Sequence, residues 1–280
     1  MIELNRLVYE QENELVSLVN LSTLEIINKQ NENETVQVFI LRVDKRDDRE
    51  FKLNLDDNVN LGKQMLTDNV YRGAVLEGIP ATYAQTYEII NNIPNANGLK
   101  PSQINEIVSL KRVWEYILDK ENLRSRSKQV NLDSVKEIHS IIGANMESLN
   151  PHQIGNLRDT PIFVGGVEQH DFGIPTESEV IDELIALNKI IDPVIKALEI
   201  YLYLCKKQMF RDGNKRTANL IANLILIQNG AGLLSIKEDL VHDFRILLTD
   251  WYDNNNKKDT INFLLNKCYI YNYVGKSFLD

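Results

Sequence analysis

The chain has 280 residues, is 43% hydrophobic and 25% charged, and carries a formal net charge of −9 at neutral pH. That is ordinary globular composition, and with 13 glycines and 7 prolines it favours helices joined by short connections over an all-β fold. The acidic surplus, without any long lysine–arginine run, excludes a surface that grips nucleic acid through its phosphates, because such a surface needs a basic stripe.

In chain order, residues 1–60 stand apart from the rest. The opening Met1-Ile2-Glu3-Leu4-Asn5-Arg6 has no basic region followed by an apolar run, so no secretory leader is expected. Val36, Val38 and Ile40 alternate with Gln37, Phe39 and Leu41, then a charged turn from Asp44 to Glu50 leads into Phe51-Lys52-Leu53-Asn54-Leu55. Period-two runs flanking a polar turn predict a β-hairpin, so residues 1–60 are expected to form a small β-containing appendage and 61–280 a mainly helical domain.

From residue 61 the period becomes helical. Ile104, Ile107, Val108, Val113, Trp114, Ile117 and Leu118 recur near every 3.6 residues, and Leu132 to Met146 repeats the pattern. Thr176 and Glu179 have capping-box spacing ahead of Val180, Ile181 and Leu184. Pro193 opens the next helix, as proline does at a first helical position. The apolar stretch from Asn214 to Gln228 stops at Gly230, a helix-ending signal. Its longest apolar run, Leu220 to Ile227, is interrupted by Asn223 and too short to span a bilayer, so a cytoplasmic protein is expected. Helices over Asp239–Trp251 and Asp259–Cys268 complete the set. Cys205 and Cys268 fall in apolar helical stretches without paired spacing and read as buried free thiols. One segment departs from the helical period: Thr160-Pro161-Ile162-Phe163-Val164-Gly165-Gly166 reads as a short strand and glycine turn, whose open edge can accept another chain.

The chemistry is expected between the helices that end near Gln208 and start near Asn214. Backbone N–H groups at a helix start lack internal partners and favour an anion. Gly213 lets the backbone curl close to a phosphate. Lys215 and Arg216 put positive charge on the first helical turn, against the helix dipole, which a bound anion would explain. Asp212 is a hard oxygen donor suited to Mg²⁺. The histidines, His139, His152, His170 and His242, share no ligating spacing and lie far from the loop in sequence, so core or surface roles are expected for them. Trp114 and Trp251 read as packing residues, and Tyr201 and Tyr203 as packing beside the loop helix.

The string from Gln208 through Phe210, Asp212, Gly213, Asn214 and Arg216 to Asn219 resembles the Fic signature HxFx(D/E)GNxRxxR. Glu77-Gly78, in the helical segment near 66–78, resembles the family's inhibitory motif (S/T)xxxE(G/N), and Ile162-Phe163-Val164-Gly165 resembles its target-holding flap. The three occur in the family order. The resemblance implies a Fic-type helical core with a short β-hairpin flap that binds ATP with Mg²⁺ and transfers AMP to a Ser, Thr or Tyr hydroxyl of another protein. It assigns the metal to Asp212, the anion hole to Gly213 and Asn214, the outer phosphates to Arg216, and anchoring of the loop to Phe210.

The sequence departs from that pattern at four positions. Gln208 stands where the family has its general-base histidine, and a neutral amide accepts no proton at physiological pH. Asn219 replaces the last arginine, which grips the γ-phosphate and pairs with the inhibitory glutamate, and leaves Glu77 without an evident partner. Gly73 occupies the Ser/Thr position of the inhibitory motif. Lys215 replaces a glycine and resembles the Doc toxins, which transfer the γ-phosphate. Three readings follow: an active transferase with unusual chemistry, a nucleotide-binding pseudoenzyme whose AMP transfer is weak or absent, or a partner-binding module without nucleotide. A target or regulatory protein is expected as partner, no membrane and no nucleic acid, and a homo-oligomer is left open.

Overall fold

The structure, a computed structural model, describes residues 53–93, 98–162, 164 and 172–271, together with the backbone of two strands near the N-terminus. Those strands, β1 (Arg6–Tyr9) and β2 (Leu15–Val19), pair antiparallel with Arg6 opposite Val19 and Leu7 opposite Leu18. Most of the hairpin expected over 36–55 lies outside the described residues. Its end differs: Leu55, read as the close of a strand, opens α1 (Leu55–Gln64). Asn54 caps that helix by accepting from the Asp57 N–H at 2.8 Å, and Asp56 and Asp57 sit in the first turn, where the helix dipole favours negative charge. The helix therefore runs through the boundary expected at residue 60.

The chain then continues as α2 (Leu66–Leu76), α3 (Tyr83–Ile90), α4 (Pro101–Ile117), α5 (Lys120–Ser125) and α6 (Leu132–Gly143). After an irregular stretch come α7 (Glu177–Asn188), α8 (Pro193–Lys207) and α9 (Asn214–Gln228). The capping box of Thr176 with Glu179 forms at the start of α7. Asp192 caps α8, its carboxylate accepting from Val194 N at 2.8 Å and Ile195 N at 2.9 Å, with Pro193 in the first position. A two-stranded ribbon, β3 (Leu233–Leu234) with β4 (Tyr269–Ile270), brackets α10 (Val241–Asn254) and α11 (Lys257–Phe263). A single π-type turn, Leu264–Cys268, carries α11 into β4. Among the described residues no helix is long and apolar enough to cross a membrane.

The fold is built around α9. It is buried on nearly every side and packs against α8, α6, α4 and α1, which is what an all-round apolar helix requires. Its polar exceptions are put to use. The Asn223 amide donates to Leu234 O and accepts from Leu234 N, both at 2.9 Å, so α9 holds β3 directly. Asn58 of α1, fully buried, does the same for Gly232, at 3.1 and 2.7 Å. Gly230 ends the helix at φ +63°, and a β-carbon there would lie 1.8 Å from Leu53 O, so only glycine fits. Cys205 and Cys268 are buried free thiols, as expected.

Candidate functional site

The site lies where α8 stops and α9 begins. Gln208 takes left-handed backbone angles (φ +49°, ψ 58°) and breaks α8. Its amide turns inward: Nε2 donates to Cys205 O at 2.6 Å, the carbonyl to which the Tyr252 hydroxyl also donates, at 3.0 Å. Gln208 is thus 6% exposed and caps a helix end. Asn214 closes the loop on itself, its side chain accepting from Phe210 N and donating to Phe210 O, both at 2.8 Å. Phe210 is buried at the base, its ring stacked on His139 with centroids 3.7 Å apart.

His139, distant from the loop in sequence, takes the core role expected for it, directly under the loop. From α6 it reaches beneath it: Nδ1 accepts from Gly155 N at 2.9 Å, which puts the ring proton on Nε2, and Nε2 faces Asp212 O at 3.0 Å as donor. Burial pushes its pKa down to about 4, with the Arg216 charge adding to the shift and the Asp212 carbonyl opposing it. The ring is neutral at physiological pH, and both nitrogens are occupied.

Above that base, Gly213 adopts φ +79° and gives α9 no side-chain cap, so the first-turn N–H groups keep the anion-accepting character of a helix start. The Asp212 carboxylate accepts from Gly213 N at 2.6 Å and from the Ser148 hydroxyl at 2.6 Å. Lys215 is half-buried on the same turn. Asn219 turns along the helix rather than into the loop: its backbone and side-chain oxygens accept from Asn223 Nδ2 at 3.0 and 3.3 Å.

Arg216 is 4% exposed and faces three carboxylates. Its Nη1 donates to Glu106 Oε2 at 2.5 Å, its Nη2 lies 3.5 Å from Asp212 Oδ1, and its Nε lies 3.7 Å from Glu77 Oε2. Glu77, expected to lack a partner once Asn219 replaces arginine, has therefore found the other arginine of the motif. It sits at the end of α2, followed by Gly78 at φ +81°. The match is incomplete, since Glu77 Oε1 and Arg216 Nε are buried without a hydrogen bond. A cavity of about 320 Å³ opens here, lined by Glu77, Glu106, Glu147, Ser148, Asp212 and Arg216 among others. Four carboxylates against one guanidinium make it acidic. A second cavity, of about 400 Å³, lies away from the loop beside Tyr203, Lys206, Trp251 and Lys257. Its three lysines are spoken for, Lys206 by Trp251 O at 3.1 Å, Lys207 by Glu179 at 3.0 Å and Lys257 by Glu199 at 2.7 Å.

The segment resembling a flap lies next to the loop, where Arg211 Nη1 donates to Pro161 O at 3.2 Å. It is not a strand where described: Pro161, Ile162 and Val164 join no ladder, and Phe163 and Gly165 lie outside the described residues. Sequence reasoning missed His139, Glu106, Glu147, Ser148 and Arg158. The signal available was a charged or polar residue inside an apolar helical face, as with His139 between Ile138 and Ile142.

Residues 129–226, which run from just before α6 into α9, match the Fic/DOC family. The chain is 25% identical over 190 residues to the protein adenylyltransferase Fic of Nematostella vectensis, covering 65% of this chain and 42% of that protein. To protein adenylyltransferase fic-1 of Caenorhabditis elegans it is 25% identical over 164 residues, or 58% of this chain and 32% of that one. It thus spans less than half the length of these curated relatives. Its fold is similar to that of C. elegans Fic-1, with a TM-score of 0.59 at 19% identity over 75% of this chain and 65% of that chain. It is also similar to that of a Fic domain containing signaling protein from Bacteroides thetaiotaomicron, at 0.60 and 18% over 76% and 85%. At such identities the structural likeness speaks for the fold.

Proposed function

The chain is a member of the Fic/DOC family through residues 129–226, and from that premise we propose that it binds ATP with Mg²⁺ at the 210–216 loop while transferring AMP to protein hydroxyls weakly or not at all. The observation that carries the second half is Gln208. Its amide cannot take a proton, and it is tied to Cys205 O as a helix cap instead of being offered to the loop. His139 does not replace it, because one nitrogen accepts from Gly155 N and the other donates to Asp212 O. An acceptor hydroxyl would meet no general base of suitable pKa.

The residues fit a nucleotide–metal complex. The uncapped start of α9 and the positive φ of Gly213 suit a phosphate. Asp212 would hold the metal, as its carboxylate oxygens each retain acceptor capacity beyond the bonds from Gly213 N and Ser148. Arg216, whose Nε makes no hydrogen bond, would turn toward the outer phosphates in exchange for part of its carboxylate contacts. The acidic lining favours a polyphosphate that arrives with its charge offset. Bound Mg²⁺ would supply that offset and polarise the phosphates.

The test uses ATP labelled at the α- or γ-phosphate, incubated with wild type and Gln208→His in the presence of a lysate. The expected result is little transfer by wild type and a gain of about 10²-fold for the variant, the lower end of what a general base contributes. Transfer by wild type at the variant's rate would overturn the reading. Label arriving from the γ-position would identify phosphotransfer, the outcome that Lys215 makes chemically accessible.

A further inference from the structure

We propose that Glu106 is a specificity-determining residue of this site: it holds Arg216 in place and so weakens the binding of nucleotides with outer phosphates relative to a monophosphate. The specificity rests on the nucleotide-binding reading above; the hold on Arg216 does not. Glu106 stands in the second turn of α4, which presents Ser102, Gln103 and Glu106 to the acidic cavity at spacings of three and four that share one helix face. The three carboxylates around Arg216 are not equivalent. Glu106 Oε2 accepts from Nη1 at 2.5 Å, whereas Asp212 Oδ1 lies 3.5 Å from Nη2 and Glu77 Oε2 lies 3.7 Å from Nε. Glu77 Oε1 and Arg216 Nε are buried without a hydrogen bond, so Glu77 contributes its charge at a distance while Glu106 grips the guanidinium.

A carboxylate at this place acts in two separable ways. Its charge repels every phosphate near the loop, the single phosphate of AMP included. Its hydrogen bond acts only through Arg216, and only a nucleotide with outer phosphates asks that guanidinium to turn. Asn219 cannot share the task, since its side chain is turned along the helix toward Asn223, so the grip on the outer phosphates falls to Arg216. Releasing a charge-assisted hydrogen bond in so buried a place shifts an equilibrium by about tenfold or more. Glu77 and Glu106 therefore form a matched pair: neutralising either removes one negative charge beside the same guanidinium, but only neutralising Glu106 breaks the grip.

Two measurements on the full chain test this. Calorimetry with ATP and with AMP, each with Mg²⁺, compares wild type, Glu106→Gln and Glu77→Gln. Glu106→Gln is expected to raise the ratio of ATP to AMP affinity by about tenfold, and Glu77→Gln to change it far less. An unchanged or lower ratio in Glu106→Gln, or an equal rise in both variants, would overturn the proposal. Without ligand, phenylglyoxal labelling mapped by mass spectrometry reads how often the guanidinium is free. Labelling of Arg216, 4% exposed in wild type, is expected to quicken about tenfold in Glu106→Gln, with Arg72, which donates to Ser235 Oγ at 3.0 Å, unchanged. No gain at Arg216, or a rise at Arg72 to match, means that Glu106 supports the fold at large and does not hold Arg216. If none of the proteins binds either nucleotide, the nucleotide reading and the specificity fall together, and the labelling still decides the hold. If Glu106→Gln does not fold, Glu106→Asp decides: it keeps the charge and withdraws the carboxylate by one methylene, so Arg216 labelling and the affinity ratio must both rise, and a variant that matches wild type in either sinks the idea.

Discussion

At the scale of single residues, His139 sets a pH dependence that can be measured. The unfolded chain takes up a proton near pH 6.5, the folded protein only near pH 4, because burial disfavours the charged ring. Between those values the unfolded state binds more protons, so stability is fully present above pH 6.5 and falls as the pH drops toward 4. The shift corresponds to about 3 kcal/mol at the bottom of the window. Urea unfolding of wild type at pH 7 and 4.5 should therefore differ by about 2–3 kcal/mol more than that of His139→Gln; equal pH dependence in both would refute the assignment. Gln208 and His139 also mark how far residues are legible one at a time. Gln208 is readable from the sequence as an amide that takes up no proton, since that follows from side-chain chemistry. Its service as a helix cap was not, because it depends on the backbone turning left-handed at that point. His139 was invisible because its partner lies 73 positions away.

The element that matters most is α9, and the sensitive position is Gly213, which precedes its first residue. Gly213 has φ +79°, yet a β-carbon there would meet only Met146 Sδ at 3.5 Å and His139 at 3.6 Å, which is ordinary contact. Alanine would suffer from the backbone angle and not from crowding. Gly213→Ala should cost about 1–2 kcal/mol in unfolding free energy while leaving the N–H groups open. Gly213→Glu should add a carboxylate in front of those groups and abolish the ATP-induced rise in melting temperature. If Gly213→Glu keeps the full rise, the anion does not sit at this helix start. The boundaries of α9, α8 and α7 were legible because proline, glycine and capping-box signals agree with the apolar period there. The misreading at Leu55 shows what happens when two signals compete. Phe51, Leu53 and Leu55 alternate as a strand would, but Asn54 followed by two acidic residues is a helix start, and the cap prevailed.

Across the whole molecule, the cavity is assembled from parts no local pattern announces. Glu77 comes from the end of α2, Glu106 from α4, Ser148 from the stretch after α6, and Asp212 with Arg216 from the loop. Folding alone brings these together, so the acidity of the site was not readable from an anion-binding motif. It leads to a direct expectation: ATP with Mg²⁺ should raise the melting temperature, since a ligand bound only to the folded state stabilises it by mass action, and ATP with excess chelator should raise it far less. Equal shifts with and without the metal would show that the carboxylates do not oppose the phosphates. A different long-range feature governs how the molecule is made. Asn58 meets Gly232 across a sequence separation of 174, and Leu53 N donates to Gly230 O at 3.0 Å beside it. During synthesis α1 must wait, unsatisfied, until residue 232 has emerged, and closing so long a loop carries an entropic cost that local helix formation does not. The seam between α1 and the β3 ribbon is thus expected to join last, after the folding transition state. Asn58→Ala should slow refolding only slightly while speeding unfolding, as a contact absent from the transition state does.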